Sequence, residues 1–328
     1  MIKTITLAQF KKHEHFIQTI DQKIVLIYGN NACGKTSILE AISLFTPGGG
    51  IFSHDINDLI MFGKNAYEIL INSEYCTLSA SYIKDTSKKE FRINNTAKRK
   101  LDLPEYIRIY GLTPYIAFAF WKDSSIRRKH IDRLMAQNDL RYAALSAKFA
   151  KAMKDRNKLI EVGKLNEHMK SLYNRVLIEN GLEITRIRQR VIEKLNTNMH
   201  PAIHEFLGSN LKITMSPTFE EQEKIFANEL EDYFIGPHKT KFTLSTNEFD
   251  GNTASTGQQK KLLIALTIAA LPETDASSVL LLDDLFANLD EQTITQLMHI
   301  LNQQHFQTWI TNIEDIETQV HMQKIRLD

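Results

Sequence analysis

The chain has 328 residues, with 40 Lys and Arg against 39 Asp and Glu for a net charge of +1, and is 43% hydrophobic and 24% charged. That balance describes a globular protein long enough for more than one lobe, and composition alone does not argue for nucleic acid. The opening residues lack the apolar block of a signal peptide and the longest apolar stretch, 262–271, is far short of a membrane span. Cys33 and Cys76 are the only cysteines, too few for a disulfide framework or a multi-cysteine zinc site, so a reducing cytoplasm and no membrane role are expected.

In chain order, residues 3–9 and 15–20 alternate as the strands of a hairpin, and the apolar run 24–28 reads as a buried strand. Phe10-Lys11-Lys12-His13 lies between the first two and reads as a turn of exposed charges rather than as a nucleotide or DNA contact. Gly29-Asn30-Asn31-Ala32-Cys33-Gly34-Lys35-Thr36 then matches the phosphate-loop pattern GxxxxGK(S/T) in full, with Ser37 next. Ile38, Leu39, Ala41, Ile42 and Phe45 recur at helical spacing until Pro47-Gly48-Gly49-Gly50. At an average glycine usage of about 7%, chance supplies the pattern in roughly one chain in a hundred of this length. The strand before it and the helix after it make chance the poorer account, so the chain binds a nucleoside triphosphate.

Each part of the loop has a chemical reason. Gly29 and Gly34 let the backbone bend so that successive N–H groups point at phosphate oxygens, and the helix start adds its dipole. Lys35 would reach the β- and γ-phosphates, and the Thr36 hydroxyl would ligate Mg²⁺.

Residues 67–84 and 90–94 read as antiparallel strands. Lys98, Arg99 and Lys100 follow in a solvated loop, the first candidate for a phosphate-backbone patch. Residues 106–111 form another strand. From Ser124 the texture turns helical, with Ser124 or Ser125 as the cap. Helical patterns run over 140–162 and 165–195, broken at Gly163-Lys164, and predict a hairpin on the order of 30–45 Å long. Its Lys and Arg residues alternate with Glu as solvated faces. Strand texture returns at 211–216 and 242–246, on either side of an acidic stretch and Gly236-Pro237-His238.

Two later stretches complete the site. Residues 278–284, SVLLLDD, read as a buried strand delivering carboxylates at its C-terminal edge. Asp283 would hold Mg²⁺ through its water shell and Asp284 would polarise the attacking water. Ser255-Thr256-Gly257-Gln258-Gln259-Lys260 opens an apolar helix and describes a second anion site, which makes sense if it reaches the γ-phosphate of a partner subunit.

GNNACGKT, STGQQK, LLLDD and Ala287-Asn288-Leu289-Asp290 resemble, in order and spacing, the Walker A, signature, Walker B and D-loop motifs of ABC-type ATPase heads. Within that superfamily the chain resembles the bacterial RecF recombination proteins, through TSILEAISLFTPGGG, GLTP, SSIRRKHIDRLM, FAKAMKDRNKLI, GPH and TGQQKKLLIAL. The resemblance implies an α/β P-loop ATPase head, a mixed sheet with flanking helices, formed by 1–120 and 211–328, with a helical lid inserted at 121–210. It implies ATP and Mg²⁺ as cofactors, head-to-tail dimerisation on double-stranded DNA near gaps, and slow hydrolysis that resets the dimer. RecO- and RecR-type partners and support of RecA loading are implied as well.

Carried over, residues 29–37 bind nucleotide. Lys35, Asp284 and, in trans, Ser255 act in catalysis. Thr36 and Asp283 serve the metal, Gly257 reaches the partner's γ-phosphate, and Asp290 lies at the dimer seam. The chain departs from the family pattern at Gly49, where Arg is usual, at Lys241, where an acid is common, and at Asn288, where Glu is common. Thr311-Asn312 stands where transporter ATPases carry a switch histidine. A transporter ATPase would share the ATP motifs, but its insert is shorter. A long coiled-coil chromosome ATPase would need far more heptads, and a small-molecule kinase would leave STGQQK without a role.

Overall fold

The structure is a computed structural model describing residues 1–47, 50–52, 55–197, 200–227, 236–272, 275–287 and 289–328. Period-two alternation produces β1 (Ile2–Phe10) and β2 (His13–Thr19), and the apolar run after them is β3 (Ile24–Gly29). From the phosphate loop the chain enters α1 (Lys35–Ser43). Next come β4 (Ala66–Ser73), β5 (Thr77–Ile83), β6 (Lys88–Ile93) and the short β7 (Thr96–Ala97). After them, β8 (Arg108–Leu112) leads into α2 (Pro114–Lys122), α3 (Ser124–Asn138), α4 (Leu140–Glu161) and α5 (Glu167–Thr197). The chain continues through α6 (Pro201–Leu207), β9 (Lys212–Ser216), α7 (Phe219–Ala227) and β10 (Lys241–Ser245). It closes with α8 (Thr256–Ala269), β11 (Ser278–Asp283), α9 (Glu291–Gln303), β12 (Gln307–Asn312) and β13 (Gln323–Leu327).

Two compact units divide the chain, Met1–Phe118 with Ser255–Asp328, and Ala119–Ala254. In the first, the two kinds of strand separate into two sheets. An antiparallel sheet runs β2-β1-β4-β5-β6-β7, and a parallel sheet runs β13-β3-β12-β11-β8. Every residue of β11 is buried, as a strand flanked on both sides and covered on both faces requires. Gln307 ties the sheets together, accepting from the Ile2 N–H at 3.0 Å and donating to the Ile2 carbonyl at 3.1 Å. Parallel register sets Asp283 beside Thr311 and Thr311 beside Ile27, so three strand ends meet at one edge, where α/β sheets bind ligands.

Residues 211–254, expected in the head, lie in the second unit. Their ribbon of β9 and β10 joins neither large sheet, and the Asn196 side chain on α5 bonds both the N–H and the carbonyl of Ile213 at 2.8 Å. The helix cap is corrected too. Asp123, not Ser124 or Ser125, caps α3 by accepting from the Ser125 N–H at 2.7 Å. The 22 and 31 residues of α4 and α5 form the expected hairpin. Arg188 of α5 anchors this unit. Its side chain is 3% exposed, and the guanidinium takes both oxygens of Asp132 at 2.8 and 2.9 Å and donates to the Pro237 carbonyl at 2.7 Å.

His130 of α3 is buried, its ring edge-on to Phe120, with no hydrogen-bond partner for either nitrogen among the described residues. Burial pushes it down to about 3, well below the usual imidazole value. The unfolded chain therefore takes up this proton first as pH falls, and the stability present above about pH 6.5 drains away toward pH 3. His130→Phe should flatten that acid limb, gaining about 2 kcal/mol over wild type between pH 6.5 and pH 5. Urea unfolding followed at both pH values reads this directly, and parallel losses in the two proteins would exclude His130 as the cause.

Candidate active site

Gly29 closes β3 with φ +145°, and Gly34 precedes α1 with φ +104°. A Cβ on Gly29 would stand 1.9 Å from the Leu327 carbonyl oxygen, and one on Gly34 2.7 Å from His13 Nε2. Both positions demand glycine for space as well as for backbone angle. Between them the loop curls around its own lysine. Lys35 Nζ donates to the carbonyls of Gly29 and Asn30, each at 2.7 Å, and lies 3.9 Å from Cys33 Sγ. Gly34 offers no side-chain cap to α1; the Ser37 N–H turns back to the Gly34 carbonyl at 3.0 Å, and the helix start at Lys35 and Thr36 is the end that suits an anion.

The two carboxylates of LLLDD occupy different environments. Asp283 Oδ1 accepts from Thr36 Oγ1 and from Thr311 Oγ1, both at 2.8 Å. Burial raises this carboxyl, against the pull of the two hydroxyls. Asp284 turns into the left-handed region at φ +44°, where its N–H donates to Thr311 Oγ1 at 2.9 Å. Its Oδ1 is buried and has no hydrogen-bond partner among the described residues.

Asp284, Thr311 and the loop residues Asn31, Ala32, Gly34, Lys35, Thr36 and Ser37 line a cavity of about 340 Å³. Lys11 and Lys12 line it as well, which corrects the reading of the 10–13 turn as solvated charge. Lys11 is held there by an ion pair with Glu40, a carboxylate 1% exposed on the inner face of α1 and raised chiefly by burial. His13 Nε2 donates to the Gly34 carbonyl at 3.1 Å, and burial holds its ring below the usual value. The one signal in the sequence was Glu40 itself, an acid set in the run Ile38-Leu39-Glu40-Ala41-Ile42 of a helix whose other residues there are apolar.

The remaining expected residues do not line this cavity. Ser255 is exposed and caps α8, its Oγ accepting from the Gln258 N–H at 3.3 Å while Gln258 Oε1 accepts from the Ser255 N–H at 2.9 Å. Gly257 lies in the first turn of α8. Asp290 caps α9, accepting from the Thr293 N–H at 2.7 Å and from its hydroxyl at 2.9 Å, which holds the carboxyl low. Lys260 links the two stretches by donating to the carbonyls of Leu285 and Ala287. Gly49 and Asn288 lie outside the described residues. Lys241 opens β10 opposite Ser216.

The donor set fits a metal-bound triphosphate. Thr36 lines a cavity that three lysines also line and bonds the Asp283 carboxylate, while Asp284, another lining residue, carries a carboxylate oxygen with no hydrogen-bond partner among the described residues, and these are the hard oxygens a divalent cation takes. A phosphate loop on a parallel sheet, an acidic strand end beside it and a capped signature helix define a P-loop ATPase head of the ABC and SMC class. The chain belongs to the RecF/RecN/SMC N-terminal domain family, whose model matches residues 1–326.

Curated relatives are RecF proteins, in keeping with the resemblance read from the motifs. The DNA replication and repair protein RecF of Rickettsia typhi is 26% identical over 346 residues, covering 96% of each chain. That of Allorhizobium ampelinum is 26% identical over 88% of this chain and 86% of its own. Among solved structures, the recombination mediator protein RecF-ATPrS in the RecFOR pathway superposes with a TM-score of 0.83 at 22% identity, over 100% of this chain and 97% of that one. The Smc head domain of Pyrococcus furiosus gives 0.56 at 14% identity, over 96% and 90%. The α/β ATPase-head fold expected from the motifs is the fold observed.

Proposed function

We propose that this chain is an ATP-dependent DNA-binding ATPase of the RecF type. Mg²⁺-ATP brings two copies together head to tail on double-stranded DNA near gaps, and slow hydrolysis releases them. The nucleotide when bound supplies the cleavable phosphoanhydride, and Mg²⁺ the charge that neutralises it. The chain's own residues do the rest. Lys35 and the loop N–H groups hold the phosphates, Thr36 and Asp283 hold the metal and its water shell, and Asp284 orients the attacking water. Curated relatives named for DNA replication and repair support the DNA role, and a structural neighbour of the RecFOR pathway supports RecO- and RecR-type partners and aid to RecA loading. A cytoplasmic setting follows from that reading, and no helix among the described residues is long and apolar enough to cross a membrane.

One observation carries the dimer. Ser255 and Gly257 open α8, yet neither lines the cavity of its own chain. A helix start with exposed donors suits the γ-phosphate of a second copy. Light scattering without nucleotide and with Mg²⁺-ATP, on wild type and Ser255→Arg, tests this. The mass of the wild type should double with ATP and that of the variant should not. A wild type that stays monomeric in both conditions rules out the composite site.

A further inference from the structure

Charge is unevenly distributed along the chain. Residues 84–100 hold seven lysines and arginines against two acids, Asp85 and Glu90, a local net charge of +5 in a chain whose total is +1. They run from the end of β5 through β6 and β7, the outer edge of the antiparallel sheet. Six of the seven cations make contacts of two kinds. Lys88 and Arg92 both pair with Glu90, and Arg99 makes a two-point pair with Asp102 at 2.8 and 3.0 Å. Lys89 and Lys100 instead share one aromatic ring, with Nζ 5.3 and 4.8 Å from the centroid of Phe91, and Lys98 lies 5.5 Å from that of Tyr106.

Two ammonium groups over one ring repel each other. Burial first, and then the charge of Lys89, push the Lys100 amine down to about 8. Lysines on an edge strand also discourage pairing with other chains, but outward rows suffice for that. Lys89 stands on the same row of β6 as the buried Phe91 and Ile93, and Lys100 reaches that ring from beyond β7. Holding like charges together on an aromatic platform makes sense where a polyanion neutralises them.

We infer that Lys89, Lys98 and Lys100 form a docking surface for the phosphate backbone of duplex DNA at the outer edge of the antiparallel sheet. The inference rests on the DNA-binding reading above and gives that DNA a location on the chain. Ammonium groups are compact point charges suited to phosphate oxygens, while the planar forks of Arg92 and Arg99 are engaged by carboxylates. The contact is therefore to the backbone and independent of sequence.

The test is anisotropy of a labelled duplex with the full chain and Mg²⁺-ATP, between about 50 and 200 mM salt. Three proteins are compared: wild type, a triple Lys89→Gln, Lys98→Gln, Lys100→Gln variant, and the corresponding triple arginine variant. The glutamine variant should bind roughly tenfold or more weakly, with a log–log salt slope shallower by about 0.9 for each lysine engaged. The arginine variant should bind as wild type does, and ATP affinity should be unchanged in both, since none of the three lysines lines the nucleotide cavity. A wild type that binds duplex, beside a glutamine variant with the same affinity and slope, overturns the location and leaves the DNA reading standing. A wild type that binds no duplex overturns both. Loss of poly-glutamate binding with duplex binding intact would assign the surface to an acidic protein and overturn the inference.

Discussion

Lys35→Met is expected to weaken Mg²⁺-ATP binding by about 10- to 100-fold, the range that follows from losing one or two hydrogen bonds to a charged group. ATP-dependent doubling in mass should disappear with it. Methionine keeps much of the length and apolar stem of the side chain, so the substitution removes charge more than volume. Lys35 is 8% exposed, and its ammonium is bonded to the Gly29 and Asn30 carbonyls, inside the curve of the loop. Those two carbonyls belong to a partly exposed loop that water can reach, so thermal unfolding without nucleotide should shift by no more than about 1 kcal/mol. Titration calorimetry with ATP, paired with light scattering, separates the effects. Tight ATP binding together with normal doubling would remove Lys35 from the phosphate site.

The parts of this site that lie on one continuous run were legible in the sequence. GNNACGKT is a loop whose geometry follows from two glycines and a helix start, and SVLLLDD is a buried strand whose last residues must emerge at the sheet edge. What was not legible depends on contacts between distant residues. The pairing of Lys11 with Glu40, and the seating of the 10–13 turn on Gly34, need β1 to be folded against α1, and no local period encodes that. Thr311 was read only as the residue standing in place of a switch histidine. It is instead the brace that bonds both Asp283 and the Asp284 backbone, a role set by the register of β11 against β12.

Two other differences have local causes. Helix α2, PYIAFAFWK, is apolar nearly all round, so it carries no contrast of period 3.6 to betray it. Residues 211–254 read as strand and loop, and nothing in such a pattern says which sheet a strand will join. The ribbon they form closes on itself and packs with α5 in the helical unit. Ser255 was read as reaching the γ-phosphate of a second copy and Asp290 as lying at the dimer seam, and each is the cap of its own helix. A cap holds a side chain at a helix start at little cost, so the two roles are compatible.

Asp284→Asn is expected to leave ATP binding and ATP-dependent doubling intact while lowering kcat by about 10²- to 10⁴-fold, the usual span for losing a general base. The two aspartates are held differently. Asp283 is bonded to two hydroxyls, so changing it would disturb Thr36 and Thr311 together. Asp284 has its N–H fixed to Thr311 and a carboxylate oxygen with no partner among the described residues, so the side chain can be altered without unpicking a network. Its backbone at φ +44° would penalise most substitutions, but asparagine tolerates the left-handed region as well as aspartate does. The replacement keeps an oxygen and the shape and removes only the charge and the capacity to accept a proton. Steady-state phosphate release beside ATP affinity reads the split, and the dimer should persist longer on ATP than that of wild type. Unchanged turnover would move the water-orienting role to another residue at this edge.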